Sequence, residues 1–186
     1  MKKIYLAGPD VFLPEANEHF ARIKSQATAF GFQAFSPFDS EKKPDNLTGT
    51  DLARHIFEEN LKLIHNCDLV LANCNAFRGA LVDDGTSFEI GYAAALGKRI
   101  YGYIQKRCPL PDIVAGRIPL KDHPSGYPMD EDGFLVNEDF GNSINLMLEY
   151  SIEKSGGALI EGDESLALQE MARLEITGNP GKSGDT

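Results

Sequence analysis

Short apolar runs alternate with stretches of helical spacing along this 186-residue chain. Lys3-Ile4-Tyr5-Leu6-Ala7-Gly8 is an apolar run closed by Gly8-Pro9, which predicts a buried strand ending in a loop. Residues 14–30 place Ala16, Phe20, Ile23, Ala27 and Phe30 three or four positions apart, the spacing of one helix face, with Gly31 as the stop. Phe32-Gln33-Ala34-Phe35 predicts a second strand broken at Ser36-Pro37, followed by a polar loop from 38 to about 50. Helical spacing returns over 51–66 through Leu52, Ile56, Leu61 and Ile64, and Asp68-Leu69-Val70-Leu71-Ala72-Asn73 is a third, continuously apolar strand. A helix over 88–96, stopped by Gly97, leads into a fourth strand over 99–104.

Strands apolar on both faces and separated by helices imply a parallel sheet covered on both sides. The fold class is therefore α/β: one doubly wound, Rossmann- or flavodoxin-like domain over 1–177, with about five central strands. In such sheets ligands bind beyond the carboxyl ends of the strands. Gly8-Pro9-Asp10, residues 36–39, residues 73–85 and the chain from Gln105 onward all fall on that edge. Residues 106–140 hold five prolines, too irregular for a core element and too long for a plain connection. A lid over the pocket and an insertion without function both fit that segment. Helices are expected over 142–153 and 163–175, and a disordered tail over 178–186.

A formal net charge of -10 argues against a surface that wraps a nucleic-acid backbone, which needs clustered Lys and Arg. A small neutral or weakly charged ligand fits better. Cys67, Cys74 and Cys108 are odd in number and lack CxxC spacing, so they read as thiols in a reducing compartment. His19, His55, His65 and His123 show no zinc-like spacing with them, and no metal site is expected. No apolar run approaches the ~20 residues that cross a bilayer, and the chain enters a strand without an apolar leader. The expectation is a cytoplasmic protein without a membrane partner.

Candidate chemistry concentrates in Asp83-Asp84-Gly85-Thr86-Ser87-Phe88-Glu89-Ile90-Gly91-Tyr92. Thr86 and Glu89 match a capping box, which alone would account for both. A carboxylate in a first helical turn also feels the positive end of the helix dipole, so Glu89 is expected to stay ionised and to suit nucleophilic work. Asp83 stands six positions earlier across an apparent glycine turn. Two carboxylates of divergent pKa are the equipment for breaking a glycosidic bond, and solvated loop aspartates are the competing reading.

These residues resemble the nucleoside 2-deoxyribosyltransferase family, through Lys3-Ile4-Tyr5-Leu6-Ala7-Gly8-Pro9, the 83–92 block and Ile144-Asn145-Leu146-Met147. The resemblance implies that Glu89 attacks the anomeric carbon of a 2'-deoxynucleoside and passes the sugar to a second base in a retaining, ping-pong reaction. Asp83 would protonate the leaving base and Tyr5 would hold Glu89 in line. Gly8, Phe12, Asp39, Asn60, Gly85 and Asn145 would surround the substrate, with Asn60 standing where other members place an aspartate. Asn145 would act across a subunit boundary on the 5'-hydroxyl, implying a homo-oligomer, a dimer or larger. The residues alone also permit a core role for Tyr5, a turn role for Asp39 and a cap role for Asn145. Nucleosides and free nucleobases are the implied partners, and the chemistry calls for neither metal nor organic cofactor. A hydrolase of (deoxy)nucleosides or their 5'-monophosphates and a non-catalytic nucleotide-binding module remain as alternatives.

Overall fold

Five parallel strands in the order β2-β1-β3-β4-β5 form the centre of the computed structural model, which describes residues 1–40 and 47–177. The strands are β1 (Lys2–Ala7), β2 (Phe32–Phe35), β3 (Leu69–Asn73), β4 (Arg99–Ile104) and β5 (Leu159–Glu161). The helices between them are α1 (Ala16–Ala29), α2 (Gly49–Asn66), α3 (Asp84–Ala95), α4 (Leu110–Ala115), α5 (Leu146–Lys154) and α6 (Glu164–Thr177). The middle of the expected polar loop and the expected tail lie outside the described residues.

Period-two alternation along β1 decides what the two faces do. Ile4 and Leu6 join Phe20, Ile23, Leu168 and Met171 in a core under α1 and α6. Tyr5 and Ala7 point the other way, into a second core with Ile64, Ile90, Ala93, Ile100 and Ile152 under α2, α3 and α5. Tyr5 is thereby sent, fully buried, toward α3. Doubly wound sheets with this strand order reverse direction between β1 and β3, and their ligands sit at that switch point.

The five strands meet the expectation although only four were placed in the pattern, and two local expectations need correction. The edge strand β5 was not resolved from the pattern because it has only three residues between Gly156-Gly157 and Gly162. Gly157 allows its approach: a Cβ there would lie 1.7 Å from the Ile100 carbonyl oxygen. The 106–140 segment contains a helix, α4, that buries Leu110 and Val114. Pro109 and Pro111, which suggested a loop, stand at its N-terminal end, where a missing N–H costs little. The helix expected over 88–96 begins four residues earlier, at Asp84, which changes the setting of Glu89.

Candidate active site

Asp83, not Thr86, is the N-cap of α3. Its Oδ2 accepts from the Thr86 amide at 2.9 Å and from the Thr86 hydroxyl at 3.0 Å, so Thr86 is spent on the aspartate and forms no capping box with Glu89. Gly85 lies inside the first helical turn instead of forming a separate loop. Glu89 is consequently in the second turn of α3, out of reach of most of the dipole. The i, i+6 offset keeps Asp83 near it all the same, and the aspartate's charge is felt at Glu89.

The Tyr5 hydroxyl donates to Glu89 Oε1 at 2.5 Å. Glu89 Oε2 makes no hydrogen bond to any described residue. Burial raises the Glu89 carboxyl to about 7, the Tyr5 hydrogen bond opposes the rise, and the Asp83 charge adds to it. This corrects the expectation of a permanently ionised group: away from the dipole, desolvation wins. Burial and the adjacent Glu89 also push the Tyr5 phenol far above its ordinary value, so Tyr5 remains a donor.

At the carboxyl ends of β1 and β3 the backbones nearly touch. A Cβ on Gly8 would lie 2.8 Å from the Asn73 Cβ. Asn73 Nδ2 donates to both Asp10 oxygens at 3.1 Å, and Asn73 Oδ1 accepts from the Asn75 amide. Phe12, more than half exposed, stacks on Phe77 with ring centroids 5.4 Å apart. The two loops bordering the switch point are therefore clipped together by one amide–carboxylate pair and one ring pair.

The family model described as nucleoside 2-deoxyribosyltransferase matches residues 4–147, more than half the chain. The chain belongs to that family. An uncharacterized protein of Schizosaccharomyces pombe is 34% identical over 185 residues, covering 93% of this chain and 86% of that protein. The structure of a 2-deoxyribosyltransferase from Leishmania mexicana aligns at 28% identity with a TM-score of 0.69, covering 93% of this chain and 98% of the other. A conserved protein from Enterococcus faecalis V583 shares the fold at 20% identity and a TM-score of 0.62, with coverage of 94% and 99%. Family membership makes this a protein of glycosyl-transfer chemistry on nucleosides and nucleobases.

The remaining residues singled out by resemblance to the 2-deoxyribosyltransferases have these settings. Asp39 Oδ2 accepts from the Ser36 amide and hydroxyl, and Lys24 pairs with the carboxylate. Burial alone would raise its pKa, but these bonds outweigh it and hold the carboxyl below its ordinary value. Asn60 is half-buried on α2, and its Oδ1 is buried with no partner among the described residues. Asn145 caps α5, its Oδ1 accepting from the Met147 amide at 3.0 Å. Its Nδ2 donates to Glu138 at 3.1 and 3.2 Å, and Glu138 also accepts from the Leu146 amide.

The cavity beside Asn145, about 400 Å³, runs between Leu81, Asp84, Ser87, Ile104 and Leu148 and does not include Glu89. A second cleft of about 420 Å³ separates residues 77–81 from α4 and 135–138. The 106–140 insertion thus packs against the β3–α3 loop and the head of α5. Arg78 had no signal in the local pattern because Phe12 is remote in sequence, and Glu138 because its bonds to Asn145 and Leu146 cross a stretch without regular spacing. No helix among the described residues is long and apolar enough to cross a membrane.

Proposed function

We propose that the protein transfers 2-deoxyribose between nucleobases through a covalent deoxyribosyl ester on Glu89. The observation that carries the reading is the Tyr5–Glu89 contact, which fixes Oε1 and leaves Oε2 without a partner in a partly dry site. In the first step Oε2 bonds to C1' while the C1'–N bond breaks, its electron pair leaves with the base, and the base takes up a proton that Asp83 relays from water. In the second step a nitrogen of the incoming base attacks C1', the ester oxygen departs as carboxylate, and the base proton leaves through Asp83 to water. Two inversions retain configuration. The unpaired Asn60 Oδ1 supports a role in accepting a base N–H.

Incubating deoxyinosine with adenine should yield deoxyadenosine; absence of exchange with every base pair tried overturns the reading. Release of base and free sugar at full rate without an acceptor would mark a hydrolase instead. Because the nucleophile must be ionised, kcat/KM should rise with pH through about 7. Tyr5→Phe deletes a hydrogen bond that lowers the Glu89 pKa, so this acid limb should move upward by roughly one to two pH units. An unmoved limb would mean that Tyr5 does not hold the nucleophile.

The working unit proposed is a homo-oligomer, in which Asn145 of one copy completes a neighbour's site. Supporting this, α2, α3 and α5 carry Ile56, Phe57, Phe88, Met147 and Tyr150, each 48–69% exposed. Phe57 and Phe88 already touch across α2 and α3 at 6.0 Å. A second copy of the same face would cover these residues. Phe88→Asp should convert the sedimenting species to monomer and depress exchange together; a monomeric wild type with full activity contradicts the arrangement.

A further inference from the structure

Arg78 is the one non-glycine residue with positive φ among those described, at 46°, a backbone conformation that a bulky side chain adopts at a cost. Its guanidinium carbon lies 5.0 Å from the Phe12 centroid and 4.7 Å from that of Phe77, while those centroids are 5.4 Å apart. The three points make a nearly equilateral triangle. The guanidinium lies over both rings. Phe12 is still 58% exposed, so part of its ring remains open.

Charge makes the placement more telling. In a chain of net charge -10, Arg78 forms no ion pair with any described residue. Lys24 and Arg107, also toward the carboxyl edge of the sheet, are taken by Asp39 and Glu149. What remains is a partly exposed aromatic ring at the β1/β3 switch point, with a planar fork of donors against it. Aromatic faces stack bases of any kind, but a guanidinium supplies donors only.

We propose that Arg78 selects the base, donating two hydrogen bonds to O6 and N7 of a 6-oxopurine stacked on Phe12. This rests on the deoxyribosyl-transfer reading above. The two adjacent acceptors of a 6-oxopurine match the fork, whereas adenine offers one acceptor and one amino donor at the same edge. A side-chain amide has the complement that adenine needs.

The test compares wild type, Arg78→Gln and Arg78→Lys, with deoxyinosine, deoxyadenosine and thymidine as donors to one common acceptor. Wild type should favour deoxyinosine over deoxyadenosine by roughly tenfold or more, Arg78→Gln should invert that ratio, and Arg78→Lys should flatten it. Unchanged ratios overturn the proposal. So does an equal loss with every donor, which marks a structural role. Calorimetric binding of free hypoxanthine and adenine to the same proteins keeps the two readings apart. An Arg78-dependent preference without any exchange sinks only the transfer reaction; exchange without that preference sinks only the role of Arg78.

Discussion

Glu89→Gln is expected to cut base exchange by at least about a thousandfold while leaving the fold intact, because it removes the oxygen that the proposed ester needs. The amide keeps the volume of the carboxylate and still offers Tyr5 an acceptor, so the site's packing and its one short hydrogen bond survive. What it lacks is the negative charge and the ability to leave as a carboxylate when the second base attacks. A 2'-fluorinated deoxynucleoside, which slows formation of cationic character at C1' but slows release of the ester more, should add a sugar mass to the peptide containing Glu89. The variant should acquire none. Exchange within tenfold of wild type would remove Glu89 from the chemistry, and a sugar mass found on Asp83 would move the nucleophile to the helix cap.

The path from residues to site was clearest where spacing is local. β1 reads as a buried strand from six consecutive residues, and its alternation sends Tyr5 to the face opposite Ile4 and Leu6. The layering and parallel order follow from apolar strands divided by helices of one-sided pattern. Helix α3 was harder, because Asp83-Asp84-Gly85 contains every signal of a turn. The stronger competitor was the Asp83 carboxylate, which caps the Thr86 amide and draws Gly85 into the helix. That shift of under one turn reverses the electrostatic expectation for Glu89, from a charge favoured by a dipole to a carboxyl whose ionisation burial opposes. Nothing local marks Arg78, since the ring pair it lies against joins two loops distant in sequence; Glu138 reaches Asn145 and Leu146 only seven and eight residues on, but across a stretch without regular spacing. Asn145 is legible as a cap of α5 within its own chain, whereas the role proposed for it in a neighbour's site depends on contacts between copies, which no local spacing encodes.

Glu89 should also make the protein less stable as the pH rises, the reverse of the usual carboxylate. Its folded pKa, about 7, lies above the ordinary carboxyl value of 4.5 that applies when the chain is unfolded. Between those values the folded state holds a proton that the unfolded state has released, so unfolding free energy falls with increasing pH. Below about pH 4.5 the two states are protonated alike at this residue and the penalty vanishes; above about pH 7 it is complete. A difference of this size corresponds to about 3 kcal/mol, set by the burial that raises the carboxyl against the Tyr5 bond that lowers it. In Glu89→Gln this component is absent. Urea midpoints measured from pH 5 to 8 should therefore drop more steeply for wild type, with the variant the more stable protein at pH 8. Parallel curves would show that Glu89 ionises as easily folded as unfolded, and the acid limb of kcat/KM should then fall near pH 4.5 instead of 7. The stability curve and the activity curve report one proton on one carboxyl group, so the two midpoints have to move together in every variant that alters its surroundings, Tyr5→Phe included.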